Sequence, residues 1–345
     1  MDRYNRASIV WVFLFAILAV LPPLGPALTI ASAAAGTPGG TPRATPGVIP
    51  SDTRVVVNIP AFRMDLFEAG KLIKSYKIGI GYPEFPLPIG LRSADTIIIS
   101  PTWTPPDEAW VESPSSKVKV GQKIAAGDSL NPLGPIKIPI GLPSLIHGGK
   151  APANIGGFAS HGCVGLTNPQ VEDFAKRLAQ AGGTKVSDGQ IAEYEKNKTE
   201  TRPVKLGRAI PVELRYETIT VENGILHIYR DVYGHRTNTE ENLRGVMQAY
   251  GLTPDQLSKT QRARVTLALS QMARDAGGKP LAEPVAADKS KPRNSTSRKV
   301  TRTISGQKEV AISIPALAGK GYPAPVDLDA GRASSTAPPR HHRRG

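Results

Sequence analysis

The sequence is poor in cysteine, methionine and aromatic residues: 345 residues include one Cys, four Met and 6% Phe, Trp and Tyr together. A single cysteine excludes a disulfide framework and a metal site made of several thiolates. Hydrophobic residues make up 40% of the chain and charged residues 21%. Because these proportions are ordinary for a folded core, they exclude a fully disordered chain and a polytopic membrane protein.

The positive charge is unevenly distributed along the chain. The formal net charge is +14, and residues 279–345 contribute +8 of it, from 13 Lys and Arg against 5 Asp and Glu. This stretch is rich in Pro, Ser and Ala and lacks sustained periodicity, which predicts a basic disordered tail that includes His341 and His342. Such a tail suits anionic polymers or lipid headgroups, although a solvated tail without a partner fits equally well. The stretch has no motif of basic residues interleaved with aromatic ones, so nucleic acid is not an expected partner.

The first residues have the layout of a secretory signal peptide. Two arginines precede an apolar run over residues 9–21, and small residues follow as far as Ala35. We therefore expect a signal peptide over residues 1–35, cleaved after Ala33 or Ala35, and an exported protein of the periplasm or cell wall. An uncleaved anchor helix is the alternative, which the Pro and Gly residues directly after the apolar run disfavour.

The rest of the chain divides by composition and periodicity. Residues 36–51 are rich in Gly, Pro and Thr, which predicts an exposed linker. Residues 52–235 carry strand patterns and are numerous enough to bury one substantial core. Residues 236–278 predict a small helical extension, with one helix over about 239–250 and another that begins at the capping box of Thr253.

The predicted secondary structure of the main domain is mainly strand. Apolar runs predict strands at residues 54–59, 62–67, 71–80, 96–100, 136–140, 210–216, 218–222 and 225–229. An Asn-Gly pair gives a strong hairpin signal between the last two. After Pro169 the apolar residues recur at helical spacing as far as Gly182, which predicts one amphipathic helix. The Pro-rich stretch 101–135 has no pattern that assigns it to a structure.

The single cysteine lies in the segment with the clearest chemical signal. Cys163 occupies a Gly-flanked turn before the predicted helix, with His161 two residues and His147 sixteen residues ahead of it. A thiol needs a neighbouring imidazole or clustered N–H groups to become an effective nucleophile, and this segment offers both. The alternatives are a buried structural cysteine, which an unpaired thiol in an exported protein disfavours, and a zinc site, which lacks a fourth ligand. His227 in a predicted strand and His235 in a predicted surface turn are expected to be structural.

The residues around Cys163 resemble the L,D-transpeptidases of the YkuD type, which crosslink bacterial peptidoglycan through a catalytic cysteine. Members of this family carry His-Gly-Thr, about a dozen residues, and then Ser-(His or Lys)-Gly-Cys-(Ile or Val)-Arg-(Met or Leu). At a spacing that the family uses, this chain has His147-Gly148-Gly149 and Ser160-His161-Gly162-Cys163-Val164-Gly165-Leu166. Other segments that look similar are 55–63, 88–90, 131–134 and 231–234, so the resemblance covers roughly residues 52–235.

The resemblance implies a fold and a set of residue roles. The fold would be mainly β within the α+β class, a sandwich or barrel-like sheet with a packed helix. Cys163 would be the nucleophile, His147 its proton acceptor and donor, and Gly148 would orient His147 through its carbonyl. The oxyanion hole and substrate contacts would come from the turn itself: Ser160, His161, Gly162 and the N–H of Cys163. The resemblance implies no cofactor and no metal.

The activity implied by the resemblance is crosslinking of peptidoglycan tetrapeptide stems through a thioester on Cys163. The resemblance also implies that a carbapenem would acylate Cys163. The rival functions are L,D-carboxypeptidase or D-amino-acid exchange activity, attachment of a protein to peptidoglycan, and a catalytically impaired wall-binding module. Two departures from the motif keep these rivals open, because Gly149 replaces the usual Thr and Gly165 the usual Arg. Losing the guanidinium removes a bidentate partner for a carboxylate. Binding of the peptide's acidic groups is therefore expected to change, or to depend on other residues.

Overall fold

A computed structural model describes residues 47–113, 116–196, 200–281 and 300–331. The predicted signal peptide, most of the predicted linker and the two histidines near the C-terminus lie outside these residues. None of the helices within them has the length and apolar character needed to cross a membrane.

Strands dominate the described residues. In chain order they are β1 (Arg54–Asn58), β2 (Arg63–Glu68), β3 (Lys71–Lys77), β4 (Ile80–Gly81), β5 (Gly90–Ile99), β6 (Ile136–Pro139), β7 (Leu145–His147), β8 (Phe158–Ser160), β9 (Val164–Gly165), β10 (Arg202–Arg215), β11 (Ile219–Glu222), β12 (Ile225–Tyr229) and β13 (Glu309–Ser313). The helices are α1 (Asn168–Ala181), α2 (Asp188–Lys196), α3 (Glu240–Gln248) and α4 (Lys259–Met272). One eight-stranded sheet has the order β3-β2-β1-β10-β5-β6-β7-β9, a second has the order β11-β12-β13, and β4 pairs with β8.

The large sheet joins distant parts of the chain at its centre. β1 and β10 run parallel, with Val55 opposite Val212, and β10 continues antiparallel to β5. Both valines are fully buried, and burying an aliphatic side chain of this kind contributes about 1.5–3 kcal/mol. This central pairing therefore supports the edge of the sheet where β7 and β9 lie.

Helix α1 begins at Asn168, shortly after β9 and close to the predicted start. Its start is fixed by a capping box, in which Thr167 and Gln170 each accept a hydrogen bond from the backbone N–H of the other. Phe174 and Leu178 are fully buried in the main core, and the helix ends at Gly182. The helix thus packs on the large sheet, where it contacts β6 and β10.

The second sheet has its own core, and this core corrects two predictions. β13 adds to the edge of β12, with Ile312 opposite Leu226, and helices α3 and α4 pack against the same strands. The buried apolar residues of this second core are Ile219, Val221, Leu226, Ile228, Leu243, Val246, Met247, Leu257, Val265, Ala268, Leu269, Met272, Ile312, Ile314 and Leu317. The prediction that residues 279–345 are disordered is therefore wrong for residues 300–331, because this part supplies a strand and buried side chains. The predicted domain boundary after residue 235 also cuts through this core.

The start of the last helix differs from the prediction as well. Thr253 does form a capping box with Gln256, but this box begins a short 3₁₀ turn and not the helix. The reason is Leu257, which is buried in an extended conformation and ends that turn. A second capping box, made by Ser258 and Gln261, begins α4.

A buried charge cluster ties the two sheets together. Arg63 Nε on β2 lies 2.8 Å from Asp65 Oδ2, and its Nη1 lies 2.7 Å from Glu222 Oε2 at the end of β11. Arg63 also donates to the carbonyl of Pro323 in the C-terminal segment. Removing one partner of a buried ion pair typically costs about 3–5 kcal/mol, because the remaining charge is uncompensated. The cluster therefore fastens β2, β11 and the C-terminal segment to one another.

Candidate active site

The two halves of the motif lie on neighbouring strands. β7 and β9 run parallel, with His147 opposite Gly165. Cys163 immediately precedes β9 and follows Gly162, whose φ is +92°. Because a positive φ strongly favours glycine, the sharp turn before the cysteine depends on glycine at this position. The strand pairing therefore sets the histidine and the cysteine turn side by side.

His147 is buried, and its ring is held by the backbone. Its Nδ1 lies 2.8 Å from the carbonyl oxygen of Gly148, which is the contact that the family resemblance implies. Because a carbonyl only accepts hydrogen bonds, Nδ1 carries the hydrogen and Nε2 of the neutral ring is able to take up a proton. Burial, followed by the positive charge of Lys150, lowers the pKa of His147 to about 3. The imidazole is therefore neutral at pH 7.

The hydroxyl of Ser160 fixes the backbone of the cysteine turn. Ser160 Oγ donates to the carbonyl oxygen of Cys163 at 2.6 Å and accepts the Cys163 N–H at 2.9 Å. This N–H therefore has a hydrogen-bond partner within the turn, and its role in an oxyanion hole stays a prediction. The N–H groups of His161 and Gly162 are the other candidates for that role, and Ser160 acts on the turn itself.

The thiol of Cys163 is protonated at rest. Burial is the largest influence on its pKa and raises it, while the backbone of Leu145 and the positive charge of Lys150 act in the opposite direction. A thiol of this kind needs a base to generate the reactive thiolate.

His161 is enclosed by aromatic rings. Trp110 stacks on it with ring centres 4.0 Å apart and planes within 11° of parallel. Tyr82 and Phe85 meet it edge-on, at centre distances of 5.0 and 4.8 Å. Burial and two nearby cations lower the pKa of His161 to about 4. The ring therefore forms part of an aromatic wall beside the cysteine turn and is uncharged at neutral pH.

The Trp110 side chain comes from the Pro-rich stretch that has no assignable sequence pattern. Trp103 stacks on Trp110 with ring centres 6.4 Å apart, and a backbone bridge between Trp103 and Ile124 closes the loop. Two of the three tryptophans of the chain thus lie within eight positions of each other. This clustering is the one signal in the sequence that points to the aromatic wall.

The C-terminal segment reaches the rim of the same site. Thr301 donates from its N–H and its hydroxyl to the carboxylate of Glu84, at 3.1 and 2.7 Å. The guanidinium of Arg302 lies 5.8 Å from the ring centre of Tyr82, which in turn contacts His161. Residues from the predicted tail therefore contribute to the wall of the site.

Gly149, the first departure from the motif, is required by the local backbone. Its φ is +77°, and a Cβ there would lie 2.5 Å from the carbonyl oxygen of Pro132 and 2.8 Å from the nitrogen of Gly134. A threonine would force the backbone apart. The N–H of Gly149 donates to Asn168 Oδ1 at 2.8 Å, so this loop is joined to the start of α1.

Gly165, the second departure, leaves space that Lys150 occupies. A Cβ at position 165 would lie 2.8 Å from Cγ and 3.1 Å from Cε of Lys150. The N–H of Lys150 donates to the carbonyl oxygen of Leu166 at 3.1 Å, which holds the lysine alongside β9. Lys150 is a site residue that motif matching does not identify, because the family pattern leaves its position open.

The other two described histidines have structural partners. His227 on β12 bonds through Nδ1 to Glu309 on β13. His235 is exposed, and its N–H donates to Asp231 Oδ1 at 2.8 Å. Within the described residues, no three His, Cys, Asp or Glu side chains are grouped so that they could share a metal ion.

Known proteins share this domain. The model of the YkuD family, the L,D-transpeptidase catalytic domain, matches residues 52–220. Among solved structures, the catalytic domain of an L,D-transpeptidase from E. faecium is 16% identical with a TM-score of 0.31, over 48% of this chain and 98% of that one. An L,D-transpeptidase from Mycobacterium smegmatis is 16% identical with a TM-score of 0.26, over 48% of this chain and 58% of its own. L,D-transpeptidase 3 from Mycobacterium tuberculosis, in complex with a faropenem-derived adduct, is 16% identical with a TM-score of 0.28, over 47% and 60%. No curated protein matches the chain.

Residues 52–220 therefore match the YkuD family, the L,D-transpeptidase catalytic domain. The predicted mainly β fold with a helix packed on the sheet is confirmed. The matched region ends within β11, so β12, α3, α4 and β13 lie beyond it.

Proposed function

We propose that this protein crosslinks peptidoglycan stem peptides through a thioester on Cys163. The observation that carries the proposal is the pairing of β7 with β9, which sets His147 beside the cysteine turn with its Nδ1 bonded to the Gly148 carbonyl. A neutral imidazole in a fixed tautomer next to a protonated thiol is the arrangement that cysteine acyl transfer requires.

The first step transfers the acyl group of the donor stem to the enzyme. His147 takes the proton from the Cys163 thiol, and the sulfur attacks the carbonyl between the third residue and the terminal D-alanine of a tetrapeptide. The C–N bond breaks, His147 returns the proton to the leaving amine, and D-alanine departs. A thioester remains on Cys163.

The second step resolves the thioester. The side-chain amine of the diamino acid in a second stem peptide attacks the thioester carbonyl and loses a proton to His147. The C–S bond breaks, and the proton restores the Cys163 thiol. In both steps the N–H groups of His161 and Gly162 would stabilise the developing oxyanion.

Purified disaccharide-tetrapeptides test this proposal when the products are analysed by mass spectrometry. The wild-type chain is expected to give dimers and free D-alanine. Cys163→Ala should give neither, because no thioester can form, while its thermal unfolding midpoint stays near that of the wild type. His147→Gln should reduce turnover by about 10²-fold or more, because proton transfer is lost. Dimers formed by Cys163→Ala at the wild-type rate would refute the proposal.

The same experiment separates the rival reactions of the thioester. Tripeptides without dimers would indicate a carboxypeptidase, and exchange of the terminal residue would indicate transfer to free D-amino acids. A protein-attachment activity would need a protein acceptor in place of the second stem. A wild-type chain that yields none of these products, and whose Cys163 is not acylated by a carbapenem, would be a wall-binding module.

The proposal also includes export of the chain and attraction of its basic tail to anionic polymers. Residues 1–35 would direct the chain to the periplasm or cell wall, where peptidoglycan lies. The basic residues of the predicted tail would add attraction to anionic wall polymers, an effect that weakens as salt is raised.

A further inference from the structure

Lys150 is a half-buried cation that forms no ion pair or side-chain hydrogen bond among the described residues. Within the described part of the chain, no carboxylate or other acceptor is within ion-pair or hydrogen-bond distance of its ammonium group. The nearby group whose ionised form would interact favourably with this ammonium group is the Cys163 thiol. Burying a charge is unfavourable unless it is paired, and such groups concentrate at functional sites. The position of Lys150 therefore indicates an anion that binds, or forms, next to it.

The path of the Lys150 side chain leads over Gly165. Its Cγ, Cδ and Cε lie 2.8, 3.3 and 3.1 Å from where a Cβ of residue 165 would be. Any larger residue at position 165 would therefore displace the lysine. The glycine and the lysine occupy the site as a complementary pair.

The contact with Gly165 sets the Lys150 side chain near the proposed nucleophile. Cys163 directly precedes β9, the strand over which the Lys150 side chain lies, and the charge of Lys150 acts on Cys163 and on both histidines of the site. Burial lowers the pKa of Lys150 to about 8, and the interaction with Cys163 acts against that shift. The ammonium group is therefore still mostly charged at pH 7, when both histidines of the site are neutral.

We propose that Lys150, on the loop after β7, supplies a positive charge to the nucleophile. It would take the place of the arginine that the family motif carries at position 165. Its ammonium ion favours the Cys163 thiolate and attracts carboxylate-bearing acyl donors. Lys150 is thus a positioning residue that acts through Cys163. This inference deepens the proposed function and rests on it for the identity of the donor.

Alkylation of Cys163 measures this charge without any transpeptidation. Cys163 is the one cysteine of the chain, so the reagent reports on no other thiol. Rates are measured from pH 6 to 9 with iodoacetamide, which is neutral, and with iodoacetate, which carries a carboxylate. Lys150→Met should lower the ratio of the iodoacetate rate to the iodoacetamide rate about fivefold, as expected for loss of one nearby unit charge. Its alkylation profile should also move to higher pH.

Two rescue variants and one control sharpen the test. Lys150→Arg should keep the wild-type ratio, and the double variant Lys150→Ala with Gly165→Arg should restore it, because alanine removes the atoms that lie over position 165 and leaves room for the arginine. Lys71→Met removes an exposed lysine from the β2–β3 hairpin and should change nothing. Should Lys150→Met not fold, the wild-type ratio must still fall as salt is raised from 0.02 to about 0.5 M.

The proposal is overturned if folded Lys150→Met keeps the wild-type ratio, or if the wild-type ratio is insensitive to salt. Its failure is distinguishable from failure of the proposed function. A charge-dependent ratio without dimer formation would retain the lysine's role and reject crosslinking, while dimer formation with a charge-independent ratio would do the reverse.

Discussion

His161 shows how the surroundings of one ring set its protonation. Burial is the main reason that its pKa falls to about 4, and the positive charges of Lys150 and Arg302 lower it further, while Glu84 acts in the opposite direction. His147 behaves in the same way, with a pKa of about 3. Both rings are therefore kept neutral by the fold across the range in which free histidine titrates.

The neutral state of both histidine rings makes the stability of the fold depend on pH in the acid range. The unfolded chain binds protons at both histidines below about pH 6.5, whereas the folded chain binds them only below about pH 4 and 3. Their contribution to stability is therefore complete above pH 6.5 and declines as the pH falls toward the folded pKa values.

His161→Phe should weaken this dependence while keeping the stack on Trp110. We expect its unfolding midpoint temperature to fall less than that of the wild type between pH 6.5 and 4.5. Calorimetry of both proteins across this range measures the difference. Parallel pH profiles would show that His161 is protonated equally in the folded and unfolded chains.

At the scale of residues, the sequence predicts the residues expected to react better than it predicts the residues that surround them. The proposed roles of Cys163, His147 and the Gly148 carbonyl come from the motif and its spacing. Trp110 and Lys150 do not, because their importance depends on which loop returns to the site and on the space that Gly165 leaves open. Spacing along the chain carries information on neighbours in sequence, whereas these contacts arise only in the folded molecule.

At the scale of elements, β13 is the least predictable strand and one of the most consequential. It has five residues, of which only Ile312 is fully buried, so its sequence shows hardly any alternation. The strands of the β11–β12 hairpin are predicted correctly because an Asn-Gly turn separates two apolar runs. The missing signal for β13 is its partner, since an edge of β12 must exist before the strand is stabilised.

Ile312→Ala tests the contribution of this strand. Ile312 is 1% exposed and pairs with Leu226, so its truncation should lower the free energy of unfolding by about 2–5 kcal/mol. Ser313→Ala on the exposed side of the same strand should change it by less than about 0.5 kcal/mol. Urea titrations followed by circular dichroism compare the two. Equal midpoints would show that β13 does not support the second core.

At the scale of the whole molecule, residues 300–331 connect both cores. Ile304 packs against the core of the large sheet, and Leu317 is buried in the second core. Further along, Val326 and Asp329 bond to the backbone of β3 and cover the open edge of the large sheet. Composition alone assigns this segment to a tail, because its few apolar residues are spread over two cores and give no local period.

Truncation distinguishes a solvated tail from this arrangement. A chain that ends at Leu281 should unfold at a clearly lower urea concentration than the full chain, because it loses β13 and the cover of β3. A chain that ends at Gly331 keeps every contact described for the segment and should resemble the full chain. Identical midpoints for all three chains would restore the interpretation of residues 279–345 as a detachable tail.

The pairing of β12 with β13 also sets an order in time. Ile225 pairs with Ser313, so during synthesis the edge of β12 stays open while roughly 80 further residues are added. At about 5–20 residues per second this interval lasts several seconds, far longer than a hairpin needs to form. An open strand edge is a template for pairing with the wrong chain. The hazard of misassembly therefore persists until residues 309–313 have been made, and Thr301 and Arg302 join the rim of the candidate site only in the same late interval.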